Sequence, residues 1–438
     1  MRRLGSVAAA LLFVACQGAR APEPEALLLR GFRLVDVEAR QVRDADVVIE
    51  NGVVVAQPRL AKRRVIEGHG AFLMPALWDM KASLWGNDSA LDWDVLTQDV
   101  GFTQCLGLHL YYGVAHVGVF GMQRDWVERE LKRADALGLA AAEPLYPDTV
   151  ICGGASFACE AVKDAAAARH AVAERQHHAV PLIYVSVTHQ KKDPTPGVSD
   201  EVLGEVVKAA ANVPTIVLVD DWAQAEKAVQ LGVKIIYGLP AGPIPDSLLE
   251  LMRSRGAALA PALTRYLELD SLLGNESKLV DPFLRVAVRP DVLDSFRSEK
   301  QLWSEFLPEL RRGRERRAAS LETVARAVQA GVPVLAASDA GWTAGTFQGY
   351  SSHGVQAWLA RAGLDAWTRL SAATVWPAAA LGRHVGFAPG DPADFIMLEE
   401  SPLEDVENLR KIAQVMRRGK LVDRAKLLPD LTRAKYAP

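Results

Sequence analysis

The sequence predicts an α/β protein: a (β/α)8 TIM-type barrel with a small discontinuous β-sandwich domain built from both ends of the chain. Three observations predict it. From about residue 76, apolar strand-like runs alternate with amphipathic helical runs over about three hundred residues, the pattern of a parallel sheet closed into a barrel. Short runs of alternating apolar and polar residues precede that region and return after Gly382. At 438 residues the chain is also too long for one ordinary core.

At the N-terminus, Arg2 and Arg3 precede the apolar run Val7 to Ala15, which is too short to span a bilayer as a mature helix. The pattern is that of a secretory signal. Its end, Leu12-Phe13-Val14-Ala15-Cys16, resembles a bacterial lipobox, with Phe13 where Leu is preferred. Residues 1–16 then form a lipoprotein signal peptide, Cys16 carries the lipid, and residues 17–25 (QGARAPEPE) form a polar tether. The alternative is an ordinary cleaved signal with Cys16 incidental. The first reading predicts a lipid-anchored cell-envelope protein, with Gln17 after the cysteine pointing to the outer membrane or its periplasmic face.

Residues 26–75 read as the first part of the β-sandwich. Asn51-Gly52, between two β-rich runs, is a strong hairpin signal. Residues 76–384 read as the barrel, with strands in "GVAHVGVFG", "PLIYVSV", "TIVLVD", "VKIIYG", "ALAPAL" and "VPVLAASD". Helices fall in "SDEVLGEVVKAAA", "DWAQAEKAVQLG" and "SLETVARAVQAG", and the charge-rich residues 270–318 form a helical excursion on a barrel loop. Residues 385–425 complete the small β domain, and residues 426–438 are a tail.

The net charge of −3 gives no electrostatic basis for binding nucleic acid, and the basic run Arg311 to Arg317 reads as a solvated helix face. Cys105, Cys152 and Cys159 lack zinc-ligand spacing. In an oxidising compartment Cys152 and Cys159 either bridge across Gly153-Gly154 or stay as two buried thiols.

Several segments carry a family resemblance: "VIENGVVVAQ" with "GAFLMPALWDM", "ELMRSRGAALAPAL", "AGVPVLAASDAGW", and the long C-terminal stretch "LSAATVWPAAALG", "GFAPGDPADFIML" and "SPLEDVENLRKIAQVMRRGKLVD". Together they resemble the amidohydrolase superfamily, especially its imidazolonepropionase-like and prolidase-like branch. The resemblance implies a hydrolase of C–N bonds (amide, non-peptide or dipeptide-like) that uses zinc or another divalent metal at the barrel mouth. In such a site the metal activates a water molecule and an aspartate takes its proton.

Carried over position by position, that metal site is largely replaced. The family's Asp-x-His-x-His reads Asp79-Met80-Lys81-Ala82-Ser83. The strand-four lysine falls on or near Tyr184. The strand-five histidine falls on Leu218, with Asp220 two residues on, and the strand-six histidine falls on Tyr237 or Gly238. Asp339 is the retained aspartate. One carboxylate cannot hold a catalytic divalent ion, and Lys81 brings a cation to the metal's place. The expected metal and cofactor complement is therefore none.

None of the nine histidines forms an HxH or HxxxH pair. His189 after strand four and His353 after strand eight are the candidates for touching a ligand. His116 reads as a core or barrel-lining residue, and His177-His178 as a solvated pair. Asp220 and Asp221 read either as carboxylates for a site or as a helix N-cap. The leading expectation is a non-catalytic relative that binds a small molecule or a protein at the barrel mouth, touching the membrane only through Cys16. An active C–N hydrolase with a rebuilt or metal-free site and a structural envelope protein are the alternatives. Lys81 is expected to pair with Asp339, with Ser83, Tyr184 and Tyr237 filling former ligand positions.

Overall fold

The computed structural model describes residues 26–59, 62–84, 102–154, 156, 158–189, 195–274, 276–298, 307–342 and 345–428. The expected signal, tether and lipid site at Cys16, and residues 429–438 of the tail, lie outside the described residues.

Five strands open the fold: β1 (Ala26–Asp36), β2 (Gln41–Glu50), β3 (Val53–Val54), β4 (Arg63–Glu67) and β5 (Phe72–Pro75). β1 and β2 pair antiparallel from Leu27↔Ile49 to Asp36↔Gln41. Asn51 (φ 54°) and Gly52 (φ 81°) make the expected tight turn, setting Val53 opposite Glu50.

The barrel strands are β6 (Leu77–Ala82), β7 (Val114–Val119), β8 (Glu143–Leu145), β9 (Val150–Cys152), β10 (Cys159–Ala161), β11 (Ile183–Ser186), β12 (Thr215–Leu218), β13 (Ile235–Tyr237) and β14 (Ala258–Ala260). They pair in parallel as β6-β7-β8 and as β10-β9-β11-β12-β13-β14. The two groups join on both sides. β8 and β9 are halves of one stave, interrupted around Pro147, whose first half bonds β7 and whose second half bonds β11. On the other side, residues 334–340 bridge Leu259↔Val334 and Ala82↔Ala340. Those residues were expected as a full strand but form only isolated bridges, and near their end Asp339 (φ 53°) leaves extended geometry. Its neighbours still bond across the seam: Leu335 N to Leu259 O at 2.8 Å, and Met80 N to Ala336 O at 2.8 Å. Eight staves result, with β10, which pairs with β9, standing outside the count, and the ring closes.

Helices cover the outside: α1 (Phe102–Tyr111), α2 (Arg124–Ala136), α3 (Ala165–His177), α4 (Asp200–Ala210), α5 (Trp222–Gln230) and α6 (Asp246–Arg255). Asp164, Ser199 and Asp221 cap α3, α4 and α5 by accepting from the backbone N–H of Ala167, Val202 and Gln224. The expected excursion is helical: α7 (Leu263–Gly274), α8 (Glu276–Leu279), α9 (Pro282–Arg285), α10 (Pro290–Ser298) and α11 (Leu307–Gln329), followed by α12 (Tyr350–Arg361). The basic run on α11 is not wholly solvated, since Arg317 lies over the Trp358 ring at 5.8 Å.

The last strands, β15 (Phe395–Leu398), β16 (Ile412–Arg417) and β17 (Lys420–Leu421), return to the first five. β15 lies between β5 and β16, antiparallel to both, so one eight-stranded sheet runs β17-β16-β15-β5-β1-β2-β3 with β4 also on β1. The fold continues past residue 425, because Leu427 in the turn Arg424–Leu427 is buried against α1.

The barrel interior holds Trp78, Met80, Leu182, Ile216, Ile235 and Leu335, and a larger apolar layer fills the space between staves and helices. At about 25 cal/mol per Å2, these layers supply the main drive for folding.

Candidate functional site

The C-terminal ends of the staves form the barrel mouth, where barrel enzymes keep their chemistry. Lys81 on β6 sits there, 1% exposed, and its ammonium donates to the Asp339 carboxylate, which is fully buried. The expected ion pair is present. The Tyr237 hydroxyl at the end of β13 donates to the other Asp339 oxygen. Tyr237, rather than Gly238, is thus the strand-six residue that faces the centre.

Three rings enclose the ammonium. Lys81 Nζ lies 4.1 Å from the Phe120 ring centre, 4.9 Å from Tyr237 and 5.4 Å from Trp342. Aromatic faces are negative, so this box favours the charged lysine. Burial pulls the Lys81 pKa below its ordinary value, and Asp339 opposes that pull.

Asp339 has a left-handed backbone, which an aspartate tolerates better than most residues. Its N–H donates to Lys81 O at 2.9 Å, and its carbonyl accepts from Thr346 Oγ1 at 2.8 Å and Trp342 N at 3.0 Å. The conformation turns the side chain inward onto Lys81 and Tyr237.

The other former ligand positions hold neutral groups. The Tyr184 hydroxyl donates to Met80 O at 2.6 Å, and burial raises its pKa well above the ordinary tyrosine value. Gly118 leaves room for this contact, because a Cβ there would stand 2.3 Å from Met80 O and 2.8 Å from the Tyr184 hydroxyl. Ser83 Oγ donates to Phe120 O at 3.2 Å. Leu218 is a buried apolar residue at the end of β12.

Behind the pair lies a second buried carboxylate. Asp79 accepts from Ser338 N at 2.9 Å, Lys81 N at 3.2 Å and Ser352 Oγ at 2.9 Å, with His109 Nε2 at 3.9 Å. Burial raises the Asp79 pKa and lowers that of His109. Asp79 thus locks β6 to the eighth stave.

Several sequence-predicted residues fall elsewhere. His353 is buried on α12, with Nε2 2.9 Å from Tyr112 O and the Phe283 ring at 5.1 Å, so it is a core histidine and not a ligand contact. His189 is exposed beyond β11, and its backbone N–H donates to Asp220 Oδ2 at 2.9 Å. Asp221, not Asp220, is the N-cap of α5. His178 is not simply solvated, since its Nδ1 lies 3.0 Å from Asp148 Oδ2. Cys152 and Cys159 form a disulfide that closes the loop between β9 and β10.

The centre does not fit a divalent metal. Its one carboxylate, Asp339, is already engaged by an ammonium and a phenol, and the remaining positions offer hydroxyls and a leucine. Among the described residues, no group of three or more His, Cys, Asp or Glu side chains is placed to hold a metal ion.

Known proteins share this architecture of a barrel with a flanking sheet. A family model described as amidohydrolase family matches residues 291–422. Among solved structures, molinate hydrolase superimposes with a TM-score of 0.71 at 16% identity, covering 94% of this chain and 98% of its own. A putative prolidase from Bifidobacterium longum gives 0.68 at 19% identity, covering 92% and 98%. A Xaa-Pro dipeptidase with bound methionine in its active site gives 0.66 at 18%, covering 91% and 99%. No curated protein sequence matches. These findings bear out the resemblance to the amidohydrolase superfamily, prolidase-like members included.

Proposed function

We propose that this protein is a non-catalytic amidohydrolase relative, tethered to the cell envelope, in which a fixed internal ion pair has taken the charge role of the metal. The observation that carries the reading is the Lys81–Asp339–Tyr237 cluster inside its aromatic box. An aspartate acting as a general base must be reachable and must change its protonation during turnover. Here it is buried and held by two donors. The fold supports descent from hydrolases of C–N bonds, but fold alone does not license that activity.

The test is elemental analysis of protein purified without chelators, followed by calorimetric titration with zinc. Substoichiometric metal and no saturable zinc binding are expected. One tightly held zinc per chain would overturn the reading.

The tether is the second part of the proposal. A lipid on Cys16 and the spacer of residues 17–25 would hold the barrel at the outer membrane or its periplasmic face, leaving the mouth to a small-molecule or protein ligand above the sealed centre. Cys16→Ala is expected to release the protein into the soluble fraction or leave it as unprocessed precursor. A processed, membrane-bound variant would refute the anchor.

A further inference from the structure

The eight-stranded sheet has two faces, and one of them is covered over only part of its length. The inner face places Leu29, Phe32, Leu34, Val47 and Ile49 in the core of the small domain. A bulge between Leu29 and Phe32 keeps both on that side. Side chains alternate along a strand, so the residues between them form the outer face. Toward the barrel that face is sealed, because Val35, Phe72 and Met74 join the apolar layer around the staves.

At the start of β1 the cover stops. Val48 lies opposite Leu28, and Leu28 opposite Val65, so the three make one aliphatic row across β2, β1 and β4. Val65 is 42% exposed, and Leu28 and Val48 are partly exposed.

Positive charge borders the row. Arg63 stands on the same face, one row nearer the start of β1, where it is in register with Ala26. Lys62 and Arg64 flank it and Arg59 precedes them, all exposed, and among the described residues none of the four makes an ion pair. On the other side of the row Arg30 and Glu67 pair with each other. Asp46 and Glu50 accept from the backbone N–H groups of Gly31 and Arg59. With those carboxylates counted, Arg30, Arg59, Lys62, Arg63 and Arg64 still outnumber Asp46, Glu50 and Glu67 by two charges.

The chain enters the fold at this same place. Ala26 opens β1 at the head of the row, its N–H donating to Lys62 O at 3.0 Å. Residues 17–25 lead back from it to Cys16. Ten flexible residues have a root-mean-square span of about 18 Å and a limit of about 35 Å. A bilayer holding Cys16 therefore lies close to the row. A second copy would set the same surplus of cations against itself. An anionic bilayer complements that charge and gives the aliphatic row an apolar boundary to enter.

We propose that this face docks on the anionic lipid surface to which the tether leads. Val48, Leu28 and Val65 enter the headgroup boundary, and Lys62, Arg63 and Arg64 meet lipid phosphates. The inference rests on the anchor at Cys16 and adds a second, charge-selective contact to it.

The test uses the full lipidated protein in vesicles of phosphatidylcholine alone and of phosphatidylcholine mixed with phosphatidylglycerol, both carrying a nitroxide-labelled lipid. Val65→Cys bears a bimane dye. Cys105 is buried, and Cys152 and Cys159 are bonded to each other, so the dye reads position 65. The nitroxide is expected to quench the dye on the mixed vesicles and much less on phosphatidylcholine, and added salt should reverse the quenching. Arg63→Gln and Arg64→Gln should each weaken the docked state about fivefold, the scale of one basic residue at an anionic surface. Both side chains are exposed on an edge strand, so the variants should fold. Flotation reads the anchor separately. Protein that floats with both vesicle types but stays unquenched overturns the docking and leaves the anchor standing, whereas protein that floats with neither overturns both. Quenching equal on the two vesicle types and unchanged by the arginine substitutions would overturn the charge-selective contact. A blue shift of the dye that grows with protein concentration and ignores lipid would assign the row to a second copy and overturn the proposal.

Discussion

Lys81→Met is expected to destabilise the protein by about 3–5 kcal/mol, the usual cost of stranding one charge of a buried pair. The methionine itself fits, because its thioether packs well against the rings of Phe120, Tyr237 and Trp342 that now surround the ammonium. The loss comes from Asp339, which stays fully buried and loses the ammonium that now donates to its carboxylate. The double variant Lys81→Met with Asp339→Asn removes the stranded charge while the amide oxygen still accepts from Tyr237. It should therefore be more stable than the single variant, an inversion of simple additivity. Denaturant melts of wild type, both single variants and the double variant measure it. Equal midpoints for Lys81→Met and the double variant would mean that the pair carries no coupling, and the lysine would then be no substitute for a metal.

Acid should destabilise the protein well before its carboxylates titrate, and His353 is a main cause. Its Nε2–H donates to Tyr112 O at 2.9 Å, while buried Nδ1 has no partner among the described residues, so protonation would place an N–H where none of them accepts it. Burial lowers its pKa to about 4, with Arg410 and Arg424 adding to the shift. The unfolded chain takes up this proton near pH 6.5 and the folded protein only near pH 4. Stability from this group is thus complete above pH 6.5 and is lost as pH falls toward 4, by about 3 kcal/mol in all and about 2 by pH 5. His116 and His109 shift in the same direction. Glu143, lowered to about 2, adds a second loss at lower pH, with stability present above about 4.5 and lost as pH falls toward 2. Melting temperatures at pH 7 and pH 5 should differ less in His353→Gln, whose amide still donates to Tyr112 O but takes no proton. An undiminished difference would remove His353 from the cause.

The Lys81–Asp339 pair could be anticipated because two local facts meet. Sequence position puts both residues at the ends of adjacent staves, and a buried aspartate without its metal needs a cation. The aromatic box could not be anticipated. Phe120 and Trp342 stand just past stave ends, where neither strand period nor helix period fixes a side chain's direction. The third stave was missed for a different reason: Pro144 and Pro147 remove backbone donors from "EPLYPDTVIC", so the stretch reads as a loop although its halves bond both neighbours. His353 was misjudged because a histidine's place in a motif says nothing about burial.

The sheet shared by both ends of the chain also sets a timetable. β5 pairs with β15, about three hundred residues later. At the usual 5–20 residues per second of synthesis, β5 waits roughly 15–60 s for that partner. An open strand edge is an invitation to the wrong chain. Here the exposure is kept small, because β1 is already flanked by β2 on one side and by β4 and β5 on the other. What stays unzipped is four residues, Phe72–Pro75, and the last of them cannot donate a hydrogen bond. The nascent chain thus carries its unfinished seam in a form too short and too blunt to template aggregation while the barrel is still being made.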